Sequence, residues 1–231
     1  MSEKRGMQLD RVVLLGRTFD EYRRYFLIDP KDWKGKRVLD VAGGVGSFCA
    51  EANEHGMQAT ACDPIYSWEP QRIQSQAEPD LDHVHKIVQG LPTYRWDYYR
   101  DRDHMRELRA RALHKFLPDY IEHRSGRYVP GQLPHLPFAD HMFDLTLVSY
   151  FLFAYEDKFS YEFHRDAILD LTRITRGEVR LYPTVTLEAV QSTYVPQLLR
   201  DPALEHLRFE EVMTDFEFLL NSNRFLRITR K

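Results

Sequence analysis

The sequence has little cysteine, no long apolar run and no excess of charge of one sign. Its two cysteines, Cys49 and Cys62, are too few for a disulfide scaffold or a four-cysteine zinc site. No hydrophobic stretch approaches the roughly 18–20 residues that a membrane helix needs, which argues against an integral membrane protein. The opening residues Met1-Ser2-Glu3-Lys4-Arg5-Gly6 hold no apolar stretch of signal-peptide length, so the expected location is the cytoplasm. Lys and Arg number 32 against 35 Asp and Glu, a net charge of −3. Such a balance argues against nucleic-acid binding by the whole surface. No internal repeat or low-complexity tract is present. What is there is one elaborated domain over residues 1–231, since a typical domain takes about 150 residues. It is long enough to bury a real core. Aromatic residues make up 13% of it, a hint of a thick core or a large pocket.

Residues 1–17 read as a loose lead-in, part of an N-terminal helical segment over 1–34. Residues 18–27 predict a short helix, with Thr18 and Glu21 forming a capping box and Phe19, Tyr22 and Phe26 at helical spacing. Asp29-Pro30 and Gly35 punctuate the chain before a strand at 37–41. The segment Ala42-Gly43-Gly44-Val45-Gly46 follows, then a helix over 47–55 with Gly56 placed as its C-cap. A second strand over 58–62 ends at Asp63-Pro64. Downstream, 143–149 reads as a buried parallel strand, 163–174 as a helix and 178–182 as a strand. Residues 195–207 read as a helix interrupted or started near Pro196 and Pro202, and 209–216 with 224–228 as two final strands. The last strand alternates as an antiparallel addition to a sheet would.

The glycine segment is specific about ligand type. Glycines let the backbone turn sharply and approach a ligand, and the following helix offers unpaired N–H groups. Asp63 lies 19 residues after Gly44, about where an acidic side chain would accept both ribose hydroxyls. Strand, glycine loop, helix, strand and acid together predict an adenosine-containing cofactor in an α/β fold. A plain strand-to-helix turn is the bland alternative. The dinucleotide pattern G-x-G-x-x-G is absent, because Cys49 stands where its last glycine belongs, and Asp40 sits on the preceding strand itself.

Val38-Leu39-Asp40-Val41-Ala42-Gly43-Gly44-Val45-Gly46 resembles the first motif of class I S-adenosylmethionine-dependent methyltransferases, with Ala42 in place of the first glycine. Leu136-Pro137-Phe138-Ala139-Asp140-His141-Met142-Phe143-Asp144-Leu145 is similar to the segment leading into their fourth strand. The likeness covers about residues 35–66 and 131–231. Within that superfamily the chain most resembles a poorly characterised bacterial methyltransferase-like group, through Phe19-Asp20-Glu21-Tyr22, Ser47-Phe48, Cys62-Asp63-Pro64-Ile65-Tyr66 and Phe216-Glu217-Phe218 before Asn221-Ser222-Asn223. The resemblance implies a Rossmann-like, mostly parallel seven-stranded sheet with an antiparallel last strand. It implies S-adenosyl-L-methionine as cofactor. Gly43, Gly44 and Gly46 would then pass beneath the methionine and ribose, and Asp40 would order the loop and face the methionine amino group. Asp63 would hold the ribose diol, Pro64 and Ile65 would pack on adenine, and Gln132, with Leu133 beside it, would take the place of an adenine-binding Asp.

Acceptor contacts are expected just beyond the carboxyl ends of the parallel strands. The candidates for catalysis are Ser149, Tyr150 and Tyr182, with His135 as a possible base against the default of a surface histidine. Tyr155 and His141 are near alternatives, and Asp144 reads as structural. Asn221 and Asn223 in the final hairpin, and Tyr22 and Tyr25 on the first helix, are candidate substrate contacts. Nothing after the fourth strand reads N/D-P-P-Y, the signature of amino methylation. The cysteines read as small buried residues rather than reactive thiols. His83, His85 and His104 make no convincing metal site, and no metal is expected.

Residues 67–130 form a helical insertion that would cap the cleft and choose the substrate; Trp96 and Tyr98 are its candidate contacts. One of its helices is expected over 104–120. The basic run Arg100, Arg102, Arg106, Arg109, Arg111 and Lys115 reads either as a phosphate, carboxylate or RNA surface or as a solvated helix laced with i,i+4 pairs. The functional expectation is methyl transfer to a small molecule. The alternatives are cyclisation or cleavage of S-adenosylmethionine without methyl transfer, RNA methylation, or a non-catalytic cofactor-binding partner module.

Overall fold

A computed structural model describes residue 7 and residues 9–231. The part of the lead-in that covers residues 1–6 and 8 lies outside the described residues.

The elements follow in the order α1 (Phe19–Phe26), β1 (Arg37–Val41), α2 (Phe48–Glu54), β2 (Gln58–Cys62), α3 (Pro70–Ile87), α4 (Arg102–His123), β3 (Tyr128–Val129), β4 (Phe143–Ser149), α5 (Tyr161–Ile174), β5 (Thr175–Tyr182), α6 (Val195–Leu198), β6 (Leu207–Met213) and β7 (Arg224–Arg230). The strands make one sheet in the order β3-β2-β1-β4-β5-β7-β6. All neighbours run parallel except β7, which is antiparallel to both β5 and β6. This is the mixed seven-stranded sheet that the motifs imply. The short edge strand β3 completes it, pairing Ala61 with Tyr128 and Cys62 with Val129.

The central strands are covered on both faces, which is why their sequences are nearly continuously apolar. Val38, Leu145 and Leu147 join a core with α1, α2 and the insertion. Leu39, Val41 and Val148 join a second core with Ile168, Leu171 and Ile174 of α5. No helix among the described residues is long and apolar enough to cross a membrane.

Helix α1 forms where its capping box lies: Thr18 accepts from the Glu21 N–H, and Glu21 accepts from the Thr18 N–H. Leu27, in the left-handed region at φ 54°, ends it. Three segments differ from the sequence reading. Residues 195–207 are not one helix. Pro202 has no N–H to donate, and Asp201 before it is extended at ψ 121°, the conformation a residue before proline prefers. One turn of α6 therefore remains before Leu207 opens β6. The helix α3 is an insertion helix whose bounds the sequence reading did not give; Pro79 lies inside it, and its buried Ile73, Ala77, Leu81 and Val84 recur at helical spacing. Third, residues 9–17 are not loose. Arg11 pairs with Asp80, the Leu14 N–H donates to Asp80 (2.8 Å), and the Ser47 N–H donates to the Arg17 carbonyl (3.0 Å).

Candidate functional site

The carboxyl ends of β1, β2 and β4 open onto a cavity of about 510 Å³. Its walls come from residues 11–17, the turns after β1, β2 and β4, the insertion helices and Leu219 before β7.

One end of the cavity is built by the loop after β1 and the turn after β2. Gly44 takes a positive φ of +52°, and the position a Cβ would occupy there is open. A Cβ at Gly43 would instead stand 2.9 Å from both Asp40 Oδ2 and the Tyr66 hydroxyl. Only glycine therefore lets this loop lie so close over β1. Asp63 is positioned by backbone on both oxygens: Oδ2 accepts from the Gly44 N–H (3.0 Å) and Oδ1 from the Ile65 N–H (3.1 Å). The Tyr66 hydroxyl donates to the Gly44 carbonyl (2.9 Å). Burial pushes Asp63 up to about 6, against those two hydrogen bonds that pull it down. Asp40 lies beneath the loop and accepts from the Tyr22 hydroxyl at 2.9 Å. Burial drives its carboxyl up to about 8, opposed by the Tyr22 bond and helped by the nearby Asp63.

Of the expected cofactor contacts, the cavity is lined by Gly44, Asp63, Pro64, Ile65, Gln132 and Leu133. Asp40, Gly43 and Gly46 shape the loop from outside the lining. Of the expected catalytic residues, Ser149 and Tyr150 line the cavity. The Ser149 hydroxyl already shares a 2.7 Å hydrogen bond with Tyr25. Tyr182 is buried elsewhere, stacked 4.3 Å from Tyr25 and donating to Ser222 (3.0 Å). His135 is exposed on the segment before β4 and does not reach the cavity.

None of the six expected substrate contacts lines the cavity. Tyr22 and Tyr25 are fully inside the core because the apolar face of α1 packs on the sheet, not on the cavity. Tyr98 is held by Asp20 (3.0 Å) and Trp96 packs on Phe218. Asn221 is exposed and bonds the Ala189 carbonyl, while the carbonyl of Asn223 accepts from the Thr214 N–H (2.9 Å). The hairpin reaches the cavity through Phe218 and Leu219 instead.

The basic run is spent differently from either sequence reading. Arg109 is buried, and one of its amino groups donates to both Glu21 oxygens (2.6 and 2.7 Å) and the other to the Tyr99 hydroxyl (2.6 Å). Burial alone would raise Glu21, but Arg109 and Arg17 hold it below the usual carboxylate value. Arg106 pairs with Asp82 and Lys115 with Glu54, across to other helices rather than along α4. Asp144 accepts from the Arg37 N–H (2.8 Å) and pairs with Arg176. Both thiols are buried, and burial pushes Cys62 up to about 12. Among the described residues no group of three His, Cys, Asp or Glu side chains is placed to hold a metal ion.

Sequence reasoning missed most of the far end of the cavity: Arg17, Trp68, Val84, Val88, Tyr94, Met105 and Phe159. The one signal was compositional, the aromatic excess in the insertion.

An uncharacterized protein of the archaeon Methanocaldococcus jannaschii is 35% identical over 228 residues, 98% of this chain and 100% of that protein. The chain belongs to the family of that protein. Its sheet has the strand order and the antiparallel β7 that the sequence resemblance implies. No family model matches the chain. Solved structures similar to it include a SAM-dependent methyltransferase from Aquifex aeolicus, 12% identical, covering 90% of each chain at a TM-score of 0.43. Another is the magnesium protoporphyrin IX methyltransferase of Synechocystis with bound SAM, 14% identical, covering 89% of this chain and 75% of that one at 0.44. A third is the ribosomal protein L11 methylase of Lactobacillus delbrueckii, 15% identical, covering 86% and 71% at 0.40.

Proposed function

We propose that the protein is an S-adenosylmethionine-dependent methyltransferase acting on a small-molecule acceptor held in this cavity. The observation that carries the reading is the joining of Gly44, Asp63, Ile65 and Leu133 at one end of a cavity that continues past Ser149 and Tyr150. The residues fit the cofactor: the open Gly44 position leaves room for a ligand, and each Asp63 oxygen keeps a lone pair after its backbone bond. Asp63 binds the ribose diol, Pro64, Ile65 and Leu133 pack on the adenine, and the Gln132 amide oxygen accepts from its amino group. Bound there, S-adenosylmethionine supplies a sulfonium methyl group. The chain supplies alignment and exclusion of water, which can carry much of an in-line transfer.

A small acceptor is supported over RNA by how the basic run is spent. Arg109, Arg106 and Lys115 are engaged by Glu21, Asp82 and Glu54. Incubating the protein and S-adenosylmethionine with separate cell fractions tests the reading. S-adenosylhomocysteine should form with the small-molecule filtrate and not with the RNA fraction. Formation only with RNA would overturn the acceptor class. Turnover with neither would overturn the enzyme. Breakdown of the cofactor without any acceptor would identify cyclisation or cleavage instead.

A further inference from the structure

Three polar atoms of the cavity walls are buried with no hydrogen-bond partner: Arg17 Nε and the hydroxyls of Tyr94 and Tyr150. A buried polar group left unpaired forfeits its hydration without return, so three of them on one cavity need a cause. Tyr94 is only 8% exposed. The Arg17 guanidinium lies 3.6 Å over the centre of the Tyr150 ring. Tyr150 itself holds a left-handed φ of 50°, with its N–H bonded to the Tyr182 carbonyl (2.6 Å). Such a conformation is strained in a tyrosine and persists where the surroundings enforce it, often at a ligand site.

The charges point the same way. Glu21 lies close enough to feel Arg17, but both its oxygens are taken by Arg109 and it also accepts from Tyr99. Arg11, farther along the same segment, is paired with Asp80. Two arginines therefore share one carboxylate, leaving one positive charge over. An arginine can only donate, so the missing partner is an acceptor, and the positive charge left over favours an anionic one.

The walls beyond Arg17 are apolar, formed by Val84, Val88, Met105, Phe159, Phe218 and Leu219. Tyr94 belongs to this wall as well: it bridges to Leu219 and packs 4.7 Å from Phe218. The described lining includes no histidine, lysine or cysteine, and Asp63 is its one acidic residue. A cavity without a free base suits an acceptor that arrives already ionised.

We propose that the acceptor is an apolar organic acid, its carboxylate held by Arg17 and the hydroxyls of Tyr94 and Tyr150 and its body lying against the apolar wall. The proposal rests on the methyltransferase reading for the word acceptor, but the acid site itself can be tested without it. Octanoate, phenylacetate and indole-3-acetate, each beside its amide, are titrated by calorimetry into the protein with and without S-adenosylhomocysteine. At least one acid should bind about tenfold tighter than its amide, as a charge-assisted bond is worth about 1.5–3 kcal/mol. Arg17→Met should abolish that preference, and Tyr94→Phe, which removes one hydroxyl, should weaken the acid about three- to tenfold. No acid preferred over its amide, or a preference unchanged in Arg17→Met, overturns the proposal. So does an Arg17→Met loss confined to S-adenosylhomocysteine with 5′-methylthioadenosine unaffected, which would make Arg17 the anchor of the cofactor's own carboxylate. Arg17-dependent acid binding in a protein that ignores S-adenosylhomocysteine would keep the acid site and overturn the methyltransferase.

Discussion

The two ends of the cavity are built on opposite principles. At the end formed by the glycine loop, proposed above to hold the nucleoside, the acids and the loop carbonyl are already held by the protein: Asp63 by two backbone N–H groups, Asp40 by Tyr22 and the Gly44 carbonyl by Tyr66. At the far end Arg17, Tyr94 and Tyr150 keep unpaired atoms, while Arg109 close by is fully engaged. The first end is fixed in shape by the chain's own hydrogen bonds. The second is finished only by what binds there, and this is where such folds place their differences in substrate.

The largest expected effect separates Arg109 from Arg17. Arg109→Met strands Glu21 as a buried charge and should cost about 3–5 kcal/mol of stability in chemical denaturation, as breaking a buried pair does. Arg17→Met, which leaves Glu21 its two bonds from Arg109, should lower the denaturation midpoint by much less. Equal losses would erase the distinction between the paired and the unpaired arginine.

The next effect concerns the nucleoside end. Burial holds Asp40 at about 8 and Asp63 at about 6, above their ordinary 3.8. The folded state therefore keeps protons that the unfolded chain releases. These two groups favour folding fully below about pH 4, and their contribution is lost as pH rises through 6 and 8. Asp40→Asn should flatten that decline and raise Tm at pH 9 by about 4–8 °C, equivalent to ~2 kcal/mol. A thermal-denaturation series from pH 5 to 9 that runs parallel for the two proteins would refute the buried-acid picture.

The smallest effect is at Gly44. Nothing crowds a Cβ there, so Gly44→Ala meets only the strain of φ +52°, about 1–2 kcal/mol. Its stability should fall by that little, while affinity for S-adenosylhomocysteine falls further because the new methyl enters the cavity. An unchanged affinity would place the ligand elsewhere.

This contrast also explains what could be read from the sequence. Asp40, Gly43, Gly44 and Asp63 are legible because a short run of chain does their work with its own backbone, and spacing survives in one dimension. The α1 cap and the central strands were legible for the same reason, as local hydrogen bonding and local apolar pattern. The far end is assembled from Arg17, Tyr94, Tyr150 and Phe218, residues distant in sequence that no local period links. Tyr22 and Tyr25 misled because helical spacing marks a buried face without saying what it is buried against. Arg109 misled likewise: a cation in a charged run looks solvated until its Glu21 partner, 88 residues away, is brought to it. The break in 195–207 was legible at Pro196 and Pro202, because proline has no N–H to donate, whereas the bounds of α3 were not, since Pro79 lies inside it.

The most direct test is calorimetric titration of S-adenosylhomocysteine into the wild-type protein and Asp63→Ala. The expected result is saturable one-to-one binding to the wild type, weakened at least about tenfold in the variant, as loss of a charged hydrogen-bond acceptor requires. No heat of binding to the folded wild type, or equal affinity in both proteins, would contradict the placing of the nucleoside on Asp63.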